Sequence, residues 1–345
     1  MSSALLKKIN FILKNPAITS DAAIEEIKFL LASEEKNQSA IQPTELAAEL
    51  ISRKAEQLKN PFLNENIYTT GFEAFDRNFK GFYPGELIVV GGRPGMGKTA
   101  LMISLALNLS LQTPLVFMSM DISSNILSNR ILSSLTGIQP DHIRDNKLNE
   151  EELNLIENSK AEILKRLLYI NDTLFSNLMQ LSDYIRDMAT ENNIKIFFLD
   201  YLQLLNNPRH KGYNREQEIN DIMRELKGLC KELNITILLA SQLSRNVEMR
   251  GGDKQPQLSD LRDSGSIEQA ADKVIFIYRY DYYKLDFDLN DEMRSTMNIT
   301  LAKNRNGSVG EITLKHNLFM TQFESFAPDL QEFKITNMGD KHPWE

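Results

Sequence analysis

A glycine-rich stretch in the first third of the chain, Gly92 to Thr99, carries the clearest chemical signal. It reads GRPGMGKT and fills every fixed position of the pattern G-x-x-x-x-G-K-[ST], in which backbone amides cradle phosphate groups. An apolar run, Leu87–Val90, precedes it, and a helical pattern, Thr99–Leu111, follows it. The loop therefore leads into a helix N-terminus, where free N–H groups and the helix dipole attract anions. This stretch predicts a nucleotide-binding site.

The residue types in this loop suit a phosphate ligand. The glycines let the backbone pass close to the phosphates, and Lys98 reaches the outer phosphates as a point charge. The Thr99 hydroxyl is a candidate ligand for Mg²⁺. The residues expected to hold the nucleotide are Gly92, Arg93, Pro94, Gly95, Met96, Gly97, Lys98 and Thr99.

Two acidic residues emerge at the ends of apolar, strand-like runs. Asp200 ends the run IFFLD, which places its carboxylate opposite the loop, where it would hold Mg²⁺ through the water shell of the ion. Asp121 emerges in the same way and is a candidate general base that activates the attacking water. Ordinary structural roles are the alternatives, since Asp200 can begin a turn and Asp121 can cap the helix that begins near Ser124.

Three later segments add candidates. Gln242 follows the run Ile235–Ala240 and would place an amide near the γ-phosphate, as a sensor of that group. The segment Asp260–Ser266 has small residues with exposed amides, which suit contact with a nucleic-acid backbone. The alternative is that this segment is an ordinary solvated loop. In the hairpin turn Lys303–Gly307, Arg305 either neutralises charge on a transferred phosphoryl group or is a surface residue.

Alternating strand-like and helical patterns indicate what positions these residues. They predict an α/β fold with a mostly parallel twisted sheet, helices on both faces and ligands at the strands' carboxyl ends. The predicted parallel strands are Leu87–Val90, Leu115–Ser119, Ile196–Asp200, Ile235–Ala240 and Val274–Tyr278. The predicted helices are Thr99–Leu111, Ser124–Leu135, Glu150–Leu168, Asn177–Thr190 and Arg215–Leu233. An antiparallel edge is predicted from Asn298–Ala302, Glu311–Lys315 and Phe319–Phe323.

The N-terminal region differs in composition from the rest. We expect a short helical segment and linker at residues 1–42, a linker helix at 43–60, the large α/β domain at 61–328 and a C-terminal tail at 329–345. The linker helix either packs on its own domain or docks against a neighbouring subunit.

Composition excludes several classes of protein. One cysteine and four dispersed histidines exclude an intramolecular disulfide and a Cys/His metal site, and no apolar run approaches the roughly 18 residues of a membrane span. We therefore expect a cytoplasmic chain without membrane contact. The net charge of −8 argues against a surface coated in basic residues, yet it is compatible with a narrow basic channel. The net charge therefore does not exclude nucleic acid as a partner.

Five ordered motifs resemble the DnaB family of replicative helicases, specifically their RecA-like C-terminal ATPase domain, over about residues 44–326. The motifs are GELIVVGGRPGMGKT (85–99), DYLQL (200–204), SQLSR (241–245), LSDLRDSGSIEQ (258–269) and KNRNG (303–307). The resemblance implies a RecA-like P-loop NTPase that uses ATP and Mg²⁺ to move along single-stranded DNA. It also implies a homo-oligomer, a hexameric ring with ATP between neighbours, and primase or a helicase loader as further partners.

The same resemblance assigns roles to individual residues. Asp200 becomes the Walker B acid, Gln242 the γ-phosphate sensor, and Lys303 a finger that reaches into the adjacent subunit's site. The expected catalytic residues are Lys98, Asp121, Asp200, Gln242, Lys303 and Arg305. The expected metal ligands are Thr99 and Asp200, and the expected DNA-binding residues are Arg262, Asp263 and Gly265.

The chain departs from the family pattern at three points. Asp121 and Asp263 stand where family members usually carry Glu, and the segment before the linker helix is shorter than the usual helical collar. The shorter Asp121 sets its carboxylate back by one methylene, and a misplacement near 1 Å costs on the order of 10²-fold in rate, so slow hydrolysis is one expectation. Two alternative functions follow: a RecA/KaiC-like remodelling ATPase that does not unwind, or a non-catalytic nucleotide-binding assembly protein.

Overall fold

The structure is a computed structural model, described over residues 67–175, 177–202, 215–250, 254–261, 264–283 and 295–326 and at Ala47, Ile51 and Ser52. The chain divides into two units, Met1–Glu65 and Asn66–Glu345. In the first unit the three described residues are helical and fall within the predicted linker helix. The predicted helical segment at residues 1–42 and the predicted tail at 329–345 lie outside the described residues.

A single mixed sheet forms the centre of the second unit. Its strands are Leu87–Gly92 (β1), Leu115–Ser119 (β2), Leu168–Asn171 (β3), Ile196–Asp200 (β4), Thr236–Gln242 (β5), Lys273–Tyr278 (β6), Thr296–Asn304 (β7), Gly310–His316 (β8) and Phe323–Ser325 (β9). Their order within the described residues is β3-β2-β4-β5-β1-β6-β7-β8-β9. Strands β1 to β6 are parallel to one another, and β7 to β9 are antiparallel to their neighbours. The predicted fold class is confirmed.

Helices cover both faces of the parallel strands. They are Glu73–Phe79 (α1), Lys98–Leu109 (α2), Ser124–Thr136 (α3), Pro140–Arg144 (α4), Glu150–Leu164 (α5), Leu178–Glu191 (α6), Arg215–Leu233 (α7), Asn246–Met249 (α8) and Ser264–Ala270 (α9). On one face Phe117 stacks on Phe198, with ring centroids 5.5 Å apart, in a core shared with α2. On the other face Phe197 packs in a core shared with α6 and α7. Burial on both faces explains why the strands are continuous apolar runs rather than alternating ones.

Two predicted elements are wrong in their limits. The predicted helix Glu150–Leu168 ends at Leu164, and β3 follows it and pairs with β2 at the edge of the sheet. The predicted strand Phe319–Phe323 is mostly a turn, in which Asn317 Oδ1 accepts from the Thr321 amide at 2.8 Å. That side-chain bond competes with strand pairing, so the strand begins only at Phe323.

Cys230 lies in the core on α7, and its thiol donates to the Glu86 carbonyl at 3.4 Å. Within the described residues, no helix has the length and apolar character needed to cross a membrane.

Candidate active site

The glycine-rich loop connects β1 to α2 at the carboxyl edge of the parallel strands. Gly95 and Gly97 have φ angles of 79° and 96°, a left-handed conformation that favours glycine. Gly97 is the residue before α2, and no side chain caps this helix end. The first backbone amides of α2 are therefore available to an anion, as the sequence motif predicts.

Two hydrogen-bonded groups stand at the start of α2. Lys98 Nζ donates to the carbonyl oxygens of Gly92 at 2.8 Å and Arg93 at 3.3 Å, so the ammonium is held against the loop. The Thr99 hydroxyl donates to Asp200 Oδ2 at 2.7 Å. The fold therefore brings the end of β4 to the glycine-rich loop, as the sequence predicts.

Burial perturbs both charged groups. It lowers the pKa of Lys98 to about 8, although the Asp200 carboxylate opposes that shift. It also raises the pKa of Asp200; the Thr99 hydrogen bond and the Lys98 charge act against this rise, whereas the Asp121 charge adds to it. A bound phosphate would favour the charged form of Lys98, because it is a nearby opposite charge.

A cleft of about 530 Å³ opens in front of the loop. That volume lies within the range of small-molecule sites. Its polar side is formed by Lys98, Thr99, Asp121, Asp200 and Gln242. The wall beyond the loop was missed by sequence reasoning, and its members are Ile103, Arg130, Ser134, Pro140, Tyr201, Phe319, Met320 and Thr321.

The far wall depends on contacts that carry no sequence motif. Gln322 Nε2 donates to the Ser134 carbonyl at 3.1 Å, which ties the turn after β8 to α3. Met320 reaches Gly97 so closely that a Cβ on that glycine would lie 2.5 Å from the Met320 methyl. Only Arg130, a cation on a helix that follows β2, offered a signal that sequence reasoning could have used.

Asp121 and Gln242 face the cleft without a side-chain partner among the described residues. The helix-cap alternative for Asp121 is wrong, because Ser123 precedes α3 and its hydroxyl accepts from the Ile126 amide at 3.5 Å. Gln242 is the last residue of β5 rather than a residue beyond it. Both side chains are therefore placed to meet a ligand.

Arg93 and Met96 direct their side chains away from the cleft. The Arg93 guanidinium contacts Glu248 and the Leu243 carbonyl, and Met96 is fully buried in the core. At these two positions only the backbone remains available for a nucleotide. Pro94 is fixed by its carbonyl, which accepts from the Tyr282 hydroxyl at 3.0 Å.

Lys303 and Arg305 lie at the other edge of the sheet. Antiparallel pairing of β7 with β6 sets Asn304 beside Lys273, at the amino end of the parallel strands. The six-residue β1 alone separates that edge from the glycine-rich loop by about 16 Å at 3.3 Å per residue. Lys303 donates to the Glu268 carbonyl and Arg305 to the Gln269 carbonyl, so neither side chain reaches the cleft of its own chain.

The expected DNA-binding residues fall only in part within the described chain. Arg262 and Asp263 lie outside the described residues, whereas Gly265 is exposed in the first turn of α9. Leu261, next to them, forms a bridge with Leu243 just beyond β5. The segment that precedes Arg262 is therefore attached to the strand that ends in Gln242.

Comparison with known proteins identifies the family. A model described as "DnaB-like helicase C terminal domain" matches residues 68–325. The chain belongs to this family. It is 35% identical over 304 residues to a "Probable replicative DNA helicase" of Trieres chinensis, covering 87% of this chain and 66% of that relative.

Solved structures of this family match the fold. One, described as an ATPase domain, has a TM-score of 0.75 and 28% identity and covers 83% of this chain and all of that one. A second, described as "The Structure Of A DnaB-Like Replicative Helicase And Its Interactions With Primase", has a TM-score of 0.73 and 26% identity, covering 94% of this chain and 75% of that one. The chain spans about two-thirds or less of the length of the curated relatives that it matches.

Proposed function

We propose that this chain is an ATP-dependent replicative DNA helicase that hydrolyses ATP between subunits, moves along single-stranded DNA and unwinds duplex. The observation that carries the proposal is the assembly of Lys98, Thr99, Asp200 and Asp121 around one nucleotide-sized cleft. Membership of the DnaB-like family and relatives described as replicative DNA helicases support it.

Lys98 would bind the outer phosphates of ATP, and the free amides of α2 would complete the cradle. Thr99 and Asp200 would hold Mg²⁺, since their adjacent oxygen atoms are the donors that this hard cation prefers. No group of three or more His, Cys, Asp or Glu residues suited to a metal occurs in the described part of the chain. Phosphate oxygens and water would therefore supply the other ligands, as is usual for Mg²⁺, and the ion would neutralise phosphate charge.

Asp121 would accept the proton of the attacking water. Its carboxylate lines the cleft and is exposed, so a water molecule can lie between it and the nucleotide. Gln242 would detect the γ-phosphate, because its amide borders the same cleft at the end of a strand adjacent to β1.

A second subunit would complete the site. Lys303 and Arg305 lie too far from their own cleft, and Arg305 is about half exposed, which leaves it accessible to a neighbour. One edge of each chain would then meet the other edge of the next, a head-to-tail contact that closes into rings. We propose a hexameric ring with single-stranded DNA bound by Arg262, Asp263 and Gly265.

The second matched structure is described with its interactions with primase, which supports primase as a further partner, and a helicase loader is the other candidate.

Strand displacement tests the proposal directly. A forked duplex with a labelled strand should be unwound when ATP and Mg²⁺ are present, and single-stranded DNA should stimulate phosphate release. Lys98→Ala is the control that should do neither. DNA-stimulated phosphate release without displacement would favour a remodelling ATPase, and nucleotide binding without phosphate release would favour the non-catalytic alternative.

A further inference from the structure

The arginine within the glycine-rich loop is bonded to the segment that follows β5. Arg93 Nε donates to Glu248 Oε1 at 2.8 Å, its Nη2 lies 2.8 Å from the same oxygen, and its Nη1 donates to the Leu243 carbonyl at 2.8 Å. The Arg93 side chain is 7% exposed. A guanidinium this deeply buried depends on its partners, so the loop and the segment 243–249 are held in one arrangement.

The same segment is bonded on its other side to the residues that lead toward Arg262. The Ser244 amide donates to the Asp260 carbonyl at 2.8 Å, and Arg250 forms an ion pair with the Asp260 carboxylate. Asp260 is buried, and Leu261 bridges to Leu243. Contacts are therefore continuous from the glycine-rich loop to the residue next to Arg262.

The two ends of the Arg93–Glu248 pair differ in burial. The Arg93 side chain is 7% exposed, whereas the Glu248 side chain is 39% exposed. Separation of the loop from this segment would leave a buried guanidinium without its carboxylate, which is strongly unfavourable.

We propose that the Arg93–Glu248 pair couples the nucleotide site to the DNA-binding segment of the same chain, so that ATP and single-stranded DNA each strengthen the binding of the other. This inference rests on the proposed function and assigns Glu248 as a positioning residue that touches neither ligand. Coupling between two binding sites is reciprocal, so one measured factor describes both directions.

The experiment measures the affinity of the chain for a fluorescent oligothymidylate, with and without a non-hydrolysable ATP analogue. The ratio of the two dissociation constants is the coupling factor. We expect the unmodified chain to give a factor of about 5 to 150, the usual range for coupled sites, and Glu248→Ala to bring it close to one. Glu248→Ala should still bind the analogue and, without it, bind DNA as the unmodified chain does.

Glu232→Ala is the matched control. Glu232 also pairs with an arginine, Arg186, at 3.0 Å, and its side chain is 43% exposed, against 39% for Glu248. This variant removes the same charge from a surface pair between α6 and α7, and it should keep the full coupling factor. Glu248→Gln, which keeps the shape of the side chain, should reduce the factor in the same direction.

The outcomes separate the coupling from the proposed function. A factor of one in the unmodified chain would count against ATP-dependent DNA binding itself. An unchanged factor in Glu248→Ala would overturn the coupling role alone. Equal weakening of DNA binding with and without the analogue would also overturn the coupling role. Loss of analogue binding in both Glu248 variants would do the same. In either case Glu248 would support one binding site rather than connect two.

Discussion

The two edges of the parallel sheet each carry a hydrogen-bonded lysine, but the two lysines differ in their burial and in their partners. At the carboxyl edge, Lys98 donates to two backbone carbonyls, its partners among the described residues, and borders an open cleft. At the amino edge, Lys273 is fully buried and its Nζ lies 2.6 Å from both oxygens of Glu86. Burial lowers the pKa of both lysines. A lowered pKa therefore does not distinguish a ligand site from a structural ion pair, whereas the open cleft does.

The amino edge is a closed network built around the hairpin of Lys303 and Arg305. Asp272 Oδ2 lies 2.5 Å from Lys227 Nζ and accepts from the Leu87 amide at 2.8 Å. Asn306 donates to Glu86 at 2.7 Å, so the β7–β8 turn is fixed to the start of β1. This amino edge, called the closed edge below, fixes the position of Arg305. The carboxyl edge, called the open edge, offers charges to a ligand.

The largest effect should come from Lys98→Ala, which removes the cation of the open edge. We expect ATP turnover to fall to the background of the assay, because the Lys98 ammonium is the cation that the loop itself holds for the outer phosphates. Steady-state phosphate release measures this. Lys160→Ala, which removes a cation paired with Glu157 on the surface of α5, should keep normal turnover. Retention of near-normal turnover by Lys98→Ala would refute the assignment of the loop.

Replacing Asp121 tests the second charge of the open edge. Asp121→Asn should lower phosphate release by about 10²- to 10⁴-fold, the usual contribution of a general base, and should leave the affinity for an ATP analogue unchanged. Asp121→Glu should keep or raise the rate, since the longer side chain restores the reach usual in the family. Unchanged release by the Asn variant would show that Asp121 is not the base.

The closed edge should respond in stability rather than in nucleotide affinity. Lys273→Met should lower the free energy of unfolding by about 3–5 kcal/mol, because Glu86 would stay buried without its cation. The partly exposed pair of Arg186 with Glu232 is the control, and Arg186→Met should cost less than about 1 kcal/mol. Denaturant unfolding measures both. An unchanged free energy of unfolding in Lys273→Met would contradict the structural role of this pair. Weaker binding of an ATP analogue by the folded variant would contradict the division between the two edges.

The smallest effect should be a pH dependence of nucleotide binding. The pKa of Lys98 is lowered to about 8, so the free chain loses the cation that phosphate requires as pH rises through that value. The affinity for an ATP analogue should therefore fall with rising pH, by up to about tenfold for each unit above 8. Isothermal titration calorimetry between pH 7 and 9.5 checks this. Lys98→Arg stays charged throughout, so its residual affinity should not show this decline. An equal decline in both proteins would contradict the assignment of the pH dependence to Lys98.

Much of the open edge was predictable because its site residues lie within local sequence motifs. The loop from Gly92 to Thr99 lies between a strand and a helix as expected, and Asp200 ends its strand beside Thr99. The fold class was predictable for a related reason, since long apolar strands and periodic helices bury large surfaces.

The remainder depends on tertiary contacts that have no local pattern. β3 is four residues long and half exposed, so nothing in its sequence separates it from the end of α5. The wall at Met320 exists because Asn317 folds the turn after β8. The side chain of Arg93 leaves the cleft because Glu248, distant in sequence, offers it a carboxylate.

We propose that each active site is shared by two chains, and mixing two inactive variants tests this sharing most directly. Arg305→Ala should bind ATP but hydrolyse it about 10³-fold or more slowly, as loss of an arginine finger does. Lys98→Ala keeps Arg305 but lacks the cation of the loop. When equal amounts exchange subunits, about one head-to-tail interface in four combines an intact Lys98 with an intact Arg305. We predict that ATP turnover of the mixture rises far above that of either variant alone. Turnover equal to the mean of the two variants, after verified subunit exchange, would contradict the shared site.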